Sequence, residues 1–401
     1  MKYFFILGRN IELSLAELVS YFEKEKIAFK ILNIKSNSVL IDIKNIDAGV
    51  ISQLGGTIAI GKTLCHGNEN DVTKYIKKNV LYFGESNKLN YSLVNFSKSS
   101  CFENVLDCIK YNFKQERLKA NYHPLKGIVK MQNNKTFFGS PSKIKKMDCV
   151  YFLTDYNEEY FFGVVNYVSN VKENEDIDMN KPTRRESLAI SPRLSKILIN
   201  LSCVKKNENL LDPFCGIGVI LQEGMIQDIN VVGVEIDKEA VLNCKKNISW
   251  LKQNYKINSK SSIINSDSSK VVLNEKVNGV ATEPFLGEIV KKIPSKQKAQ
   301  NMINEFEDVL IKVLLNVKKY LLPDSKIAFT SPYINIGNKR LSCNINKICS
   351  KTKLKLYELN EKNFLKFANQ SPQATGYSVK FPLAEFREKQ IVGRNIFVLI
   401  K

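Results

Sequence analysis

One carboxylate and two glycines within seven residues raise the first chemical question. In "LLDPFCGIGVILQEG" the apolar pair Leu210-Leu211 ends on Asp212, and Gly216-Ile217-Gly218 opens a second apolar run. Such a pattern is a strand that turns into a helix. Glycines let the backbone pass close to a ligand, and the helix start offers free N–H groups. A dinucleotide site built this way carries a third glycine for the pyrophosphate, whereas Gly216-Ile217-Gly218-Val219-Ile220-Leu221 has none. An acid at the strand end suits a cation instead, such as the sulfonium and ammonium of a methionine-derived nucleoside. Some twenty residues on, "VVGVEIDKEAVLNCKKN" puts Glu235 at a second strand end, where a carboxylate can accept from both ribose hydroxyls. Ile236 is placed to flank an adenine, and Asp237 reads as a helix N-cap. In "IINSDSS" Asp267 follows a third strand and can accept from an adenine amino group.

Positioning these residues requires alternating strands and helices. Residues 183–401 show them, with strands expected near 209–212, 231–236, 262–265, 278–282, 325–331, 353–358 and 394–400. Helices are expected at "SPRLSKILINLS" and "KAQNMINEFEDVLIKVLLNVKKYL". That alternation predicts a mostly parallel sheet covered on both faces, with an antiparallel pair at its edge. Residues 1–58 read as a small α+β unit of ferredoxin-like kind: strand "YFFILG", helix "ELSLAELVSYFEKE", strands "FKILNIK" and "SVLIDIK". Residues 59–168 form a further block of helices and strands. The polar stretch 169–187, "NVKENEDIDMNKPTRRES" in its core, reads as a linker.

A net charge of +20 and a pI near 9.4 suit a polyanionic partner. A codon bias toward Lys, Asn and Ile would give the same charge with no ligand. Within 101–150, ten Lys or Arg face four Asp or Glu. Lys114, Arg117, Lys119, Lys126, Lys143, Lys145 and Lys146 are interleaved there with Tyr122, His123 and Phe137. That mixture serves a phosphate backbone with unstacked bases, or simply a solvated helix face. Nine cysteines lack any C-x-x-C spacing, so no zinc site is expected and reduced thiols in the cytoplasm are. No run approaches 18 apolar residues, so no membrane span is expected. His66 and His123 have no partner pattern of metal ligands.

The chain resembles class I methyltransferases that use S-adenosylmethionine, through "DPFCGIG", "GVEID" and the loop "ATEPFLG" at 281–287. "KYFFILGRNIELSLAEL" and "DMNKPTRRESLAISPRLSKILINL" extend the likeness to the THUMP-domain tRNA guanosine N2-methyltransferases that act at position 10. The resemblance covers nearly the whole chain, and is specific in the catalytic part and loose in the THUMP part. It implies an α/β fold: a C-terminal Rossmann-like class I methyltransferase domain at 188–401, with a mostly parallel seven-stranded sheet. The N-terminal α+β parts would be the ferredoxin-like piece and a THUMP RNA-binding domain at 59–168. S-adenosylmethionine is the implied cofactor, bound by Asp212, Phe214, Gly216, Gly218, Glu235, Ile236, Asp267 and Thr282. The implied partner is tRNA, contacted by the basic residues above and by Arg184 and Arg185 in the linker. Some relatives need a small activator subunit, which the sequence leaves open. No metal and no membrane are implied.

The resemblance places the family's catalytic T-D-P-P-Y-G on Thr282, Glu283, Pro284, Phe285, Leu286 and Gly287. The acid is one methylene longer, Phe285 replaces a proline, and Leu286 replaces the stacking aromatic. An exocyclic amine is a poor nucleophile because its lone pair is delocalised into the ring, so the loop's task is positioning and electrostatics. Glu283, Pro284 and Phe285 are the expected catalytic residues, with Glu283 as acceptor and Phe285 as platform for a base taken out of its pair. The alternatives are an inactive relative that holds tRNA and cofactor, or transfer to an rRNA guanine or a DNA adenine. Tyr333, Lys339 and Arg340 lie in a loop near the site, with pocket or structural roles. Cys215 reads as a packing residue.

Overall fold

The computed structural model describes the chain except residues 98–100, 126–128, 131–135, 138–139, 185–189, 288–289, 291, 338, 361–377 and 386–389. The chain divides into two compact units. The first comprises Met1–Ile11, Ala28–Ser52 and Gly56–Val171, and the second Glu12–Ile27, Gln53–Gly55 and Lys172–Lys401.

One eight-stranded sheet runs through the first unit. Its order is Phe29–Lys35, Ser38–Ile43, Lys2–Leu7, Thr57–Gly67, Glu159–Val168, Cys149–Tyr156, Lys88–Asn95 and Lys119–Tyr122. The expected division at residue 58 therefore falls inside a strand. Thr57–Gly67 pairs antiparallel with Lys2–Leu7 on one side and with Glu159–Val168 on the other. A long strand has two hydrogen-bonding edges, and both are satisfied by merging the two expected blocks. The helices Glu69–Lys78 and Cys101–Gln115 pack on this sheet, burying Val72, Ile76, Val105, Ile109 and Phe113 with Tyr91, Tyr151 and Phe162.

The N-terminal helix Ile11–Lys24 belongs almost wholly to the second unit. It is buried nearly all round, including Ser14, Glu17, Ser20 and Lys24, as befits a core helix rather than a surface one. Its buried charges Glu17 and Lys24 are paired within that unit. Glu17 Oε1 accepts from Gly55 N at 2.7 Å and from Asn200 Nδ2 at 2.9 Å, and Lys24 Nζ donates to Asn200 Oδ1 at 3.0 Å. Half of the expected linker is also ordered into this unit, as the helix Val171–Asn180, whose Ile177 joins the core around Leu221, Met225 and Leu251.

The second sheet has the order Ser261–Asn265, Asn230–Glu235, Asn209–Asp212, Val277–Thr282, Leu321–Ile336, Val392–Ile400, Lys355–Leu356. Counted along this unit, that is third, second, first, fourth, fifth, seventh, sixth. The first five are mutually parallel, and Val392–Ile400 runs antiparallel to Leu321–Ile336. This is the Rossmann-like class I methyltransferase arrangement, and the expected strands match it closely, the sixth shortened to two residues. Ser191 and Ser295 cap the helices Pro192–Ser202 and Lys296–Val317 by accepting from Leu194 N and Lys298 N. The order reverses between the first and fourth strands, which opens a crevice at the carboxyl ends. Because the seventh strand runs the other way, its start lies beside those same ends.

Among the described residues, no helix is long and apolar enough to cross a membrane. All nine cysteines are free.

Candidate active site

The first strand ends on Asp212, whose carboxylate is 1% exposed. Its Oδ1 accepts from Thr282 Oγ1 at 2.6 Å and from Phe214 N at 3.1 Å. Burial pushes its pKa up to about 7; the two hydrogen bonds oppose that rise, and the charges of Glu235 and Glu283 add to it. The turn that follows needs glycine twice. Gly216 has φ +51 and a Cβ there would meet nothing within 4 Å, so the space above it is open. Gly218 has φ +90, and a Cβ there would come within 2.7 Å of Cys244 Sγ.

Glu235 Oε2 accepts from Gly216 N at 2.9 Å and Oε1 from Asp237 N at 3.0 Å. A carboxylate has about four acceptor positions, so one on each oxygen is left for a diol. Ile236 beside it is 70% exposed. Asp237 caps the next helix through Glu239 N and Ala240 N. Asn265 Nδ2 donates to the carbonyls of Glu235 and Ile236, both at 3.0 Å, and so ties the second and third strand tips together.

Asp267 Oδ1 is engaged by its own turn, accepting from Ser269 N at 2.9 Å and Ser269 Oγ at 2.8 Å. These bonds hold its carboxyl below the usual range. Only Oδ2 is left to face a ligand, with Lys270 Nζ 3.8 Å away. Ser268 Oγ donates to Pro213 O at 2.5 Å, joining this turn to the one after the first strand. Asp212, Phe214, Gly216, Glu235, Asp267 and Thr282 are thus brought into one linked set of turns. The residues present fit S-adenosylmethionine: an open cradle over Gly216, two spare acceptors on Glu235, and a buried acid at Asp212.

Glu283 is held in a way the sequence did not foretell. Arg394, at the start of the seventh strand, donates from Nε to Glu283 Oε2 at 2.6 Å and from Nη2 to Oε1 at 3.0 Å. Thr330 Oγ1 donates to Oε2 at 3.2 Å. The expected acceptor is therefore part of a bidentate ion pair, with its side chain 10% exposed. Pro284 is buried, while Phe285 is 63% exposed. The one hint of Arg394 in the sequence is a lone charge at the head of the apolar run "RNIFVLI". Asn247 was equally missed. Its side chain accepts from Thr183 N at 3.0 Å and donates to Thr183 O and to Ile217 O, fastening the segment before Arg184 to the glycine turn.

Tyr333 is fully buried and Arg340 stacks on its ring at 4.0 Å, so both have a packing role here. The Cys215 thiol shares a hydrogen bond with Cys244 and is buried, and both raise its pKa far above the ordinary thiol range. That matches a packing residue, not a nucleophile. His66 lies between Lys2 and Glu159, and His123 contacts Asn90. Among the described residues no group of His, Cys, Asp and Glu could hold a metal. Lys114, Arg117, Lys119, Lys143, Lys145, Lys146 and Arg184 are exposed, with Lys145 Nζ donating to Asn170 Oδ1 at 2.9 Å. Lys126 and Arg185 lie outside the described residues.

Residues 182–335 match the UPF0020 family, RMKL-like, methyltransferase domain. The tRNA (guanine(10)-N2)-dimethyltransferase of Methanothermobacter thermautotrophicus is 35% identical over 120 residues, 30% of this chain and 34% of that one. The "Probable tRNA (guanine(10)-N2)-dimethyltransferase" of Methanothermococcus thermolithotrophicus is 32% identical over 123 residues, 30% of this chain and 74% of that one. The chain thus spans about a third of the length of the first of these relatives. The crystal structure of TrmN from Thermus thermophilus aligns over 100% of both chains at 13% identity, with a TM-score of 0.46. The chain belongs to the class I tRNA guanine-N2 methyltransferase family, and residues 182–335 carry its methyltransferase domain.

Proposed function

We propose that this chain transfers a methyl group from S-adenosylmethionine to the exocyclic N2 amine of a tRNA guanosine, at position 10. The observation that carries the reading is the meeting of four strand tips. Asp212, Glu235, the Asp267 turn and the Thr282–Phe285 loop follow adjacent parallel strands and are hydrogen-bonded into one crevice. Asp212 and Glu235 would hold the ammonium and ribose ends of the cofactor, and Asp267 Oδ2 its adenine amino group. S-adenosylmethionine, when bound, supplies an electrophilic methyl on a sulfonium.

The chain's own residues then do the rest. Three of the Glu283 carboxylate's roughly four acceptor positions are occupied by Arg394 and Thr330, leaving one on Oε1. A carboxylate paired with a guanidinium only accepts, so that position calls for an N–H on the target. An amine hydrogen-bonded there is held in place, with its lone pair free of that contact, and the proton it must shed lies along the same bond. Such positioning supplies up to about 7–11 kcal/mol of a barrier. Exposed Phe285 would stack on the base. The exposed Lys and Arg of the first unit support a THUMP-like RNA-binding role for residues 59–168, with residues 188–401 as the catalytic domain. Free cysteines and a tRNA substrate support a cytoplasmic site of action.

One observation favours a second reading: the same ion pair occupies most of Glu283, as suits a chain that holds tRNA and cofactor without transfer. The test is incubation of the chain alone with unmodified tRNA and methyl-labelled cofactor, followed by mass spectrometry of nucleosides and mapping. Methylated N2-guanosine is expected, lost in Glu283→Ala with cofactor binding retained, and absent on duplex DNA. Label in adenosine, none at all, or a fully active Glu283→Ala would overturn the proposal. Activity without an added protein would also show that no activator subunit is required.

A further inference from the structure

We propose that Arg394 is the positioning residue for the Glu283 carboxylate, aiming its one spare acceptor position at the target amine; this rests on the function proposed above. Three features support it. The contact is two-pronged, Nε and Nη2 each meeting a different carboxylate oxygen. A planar guanidinium fixes the carboxylate plane as a lysine ammonium cannot. Thr330 Oγ1, from the fifth strand, adds a third donor on Oε2, so the position left over lies on Oε1 alone.

Arg394 is itself anchored. It sits opposite Pro332 on the fifth strand and opposite Glu385 on the short strand Leu383–Glu385. Glu385 Oε1 accepts from Arg193 Nη2 at 2.8 Å, at the start of the helix Pro192–Ser202. Charges therefore alternate from Arg193 through Glu385 and Arg394 to Glu283, all within the second unit. At the end of that row both Glu283 oxygens are engaged, Oε2 by Arg394 Nε and Thr330 Oγ1 and Oε1 by Arg394 Nη2. The extra methylene of Glu over Asp gives it the reach to meet a strand two places across the sheet from its own.

The experiment compares the full chain with Arg394→Ala, Arg394→Lys, Glu283→Gln and the double variant Arg394→Ala/Glu283→Gln. It reads single-turnover methyl transfer to tRNA, affinity for S-adenosylhomocysteine, and melting temperature. Arg394→Ala is expected to slow transfer on the order of 100-fold, since a misplaced group costs about that much. Affinity for S-adenosylhomocysteine should stay within about twofold, because Arg394 touches none of the cofactor turns. Arg394→Lys should lie between, and added methylguanidinium should restore part of the Arg394→Ala rate. The four melting temperatures should show coupling, the double variant losing less than the sum of the singles. Wild-type-like transfer by Arg394→Ala, or a parallel fall in rate and cofactor affinity, would overturn the inference. So would uncoupled melting, whatever the activity. A wild-type chain inactive on tRNA guanosine, with coupled melting, defeats the functional reading and leaves the pairing of Arg394 with Glu283 standing.

Discussion

Gly216 and Gly218 lie two residues apart, and the structure predicts opposite consequences for adding a methyl to each. Both have positive φ, +51 and +90, so either alanine costs about 1–2 kcal/mol of backbone strain. They differ in what the methyl meets. At 216 it enters empty space above the turn, with nothing within 4 Å. At 218 it comes 2.7 Å from Cys244 Sγ, a fully buried side chain packed beside Leu221 and Cys215. Overpacking of that kind adds about 1–3 kcal/mol. Gly216→Ala should therefore lower the melting temperature by about 3–6 °C and Gly218→Ala by about 6–15 °C, at about 3 °C per kcal/mol for a unit of this size. Ligand binding should rank the other way. The methyl at 216 projects into the volume a bound nucleoside would fill, so affinity for S-adenosylhomocysteine should fall by roughly 10–100-fold, or 1.4–2.7 kcal/mol. Calorimetric titration of folded Gly216→Ala checks this beside a thermal melt. Wild-type affinity in Gly216→Ala would mean that the open space is not the cofactor's, and equal melting losses would mean that the Cys244 contact relaxes freely.

Asp212 makes cofactor binding pH-dependent. Its folded pKa, about 7, lies above the ordinary carboxylate value, so the native state holds a proton that the unfolded chain has lost. Stability without ligand should therefore fall as pH rises from about 4 to 7, by on the order of 4 kcal/mol at most. A cationic ligand favours the ionised form, so affinity should rise with pH up to about 7 and then level. Titrations from pH 5.5 to 8.5 check it, and a flat wild-type profile, or a rise that persists in Asp212→Asn, contradicts it. Phe285→Ala should raise the KM for tRNA by about 5–150-fold through lost stacking, roughly 1–3 kcal/mol, with cofactor affinity unchanged; steady-state kinetics with Phe285→Tyr as control decide. Asn200→Ala should destabilise the second unit by about 1–3 kcal/mol, because it takes one hydrogen-bond partner each from the buried Lys24 and Glu17. A melt shifted by less than a degree would show that those groups find other partners.

Most of the catalytic sheet was legible because each parallel strand is a short buried run bounded by turn residues. Leu210-Leu211 before Asp212 and Val231–Val234 before Glu235 can hardly be anything else in an alternating pattern. The N-terminal part was less legible for a topological reason. Period and length suggest a strand over Thr57–Gly67, but nothing local says that both of its edges are paired, which joins two expected blocks into one sheet. The helix Ile11–Lys24 has an apolar stripe that predicts burial, yet the stripe does not say against what. Its Glu17 and Lys24 look like surface charges until Asn200, more than 170 residues away, is seen to satisfy both.

The loop at 282–287 shows most clearly what a motif can and cannot convey. Its residue types point to an acceptor, a carbonyl and an aromatic surface; in the structure Phe285 is exposed and Thr282 is bonded to Asp212. What the letters omit is where a carboxylate one methylene longer will settle. An aspartate at 283 would be shorter by about 1.5 Å, one C–C bond, and would lose Arg394 Nε at 2.6 Å and Nη2 at 3.0 Å as direct partners. The glutamate and the arginine therefore have to be read as a pair, although 110 residues separate them. The pair also explains why a longer acid is tolerable here. A free glutamate side chain has more rotamers to lose than aspartate when it holds a substrate, and Arg394 with Thr330 removes that freedom before any substrate arrives. Glu283→Asp should consequently behave worse than the family's use of aspartate suggests: it cannot reach Arg394, and it leaves a guanidinium with only a quarter of its side chain exposed without its partner. A Glu283→Asp chain that transfers methyl groups as fast as wild type, with an unshifted melt, would show that the arginine has no part in aiming the acid.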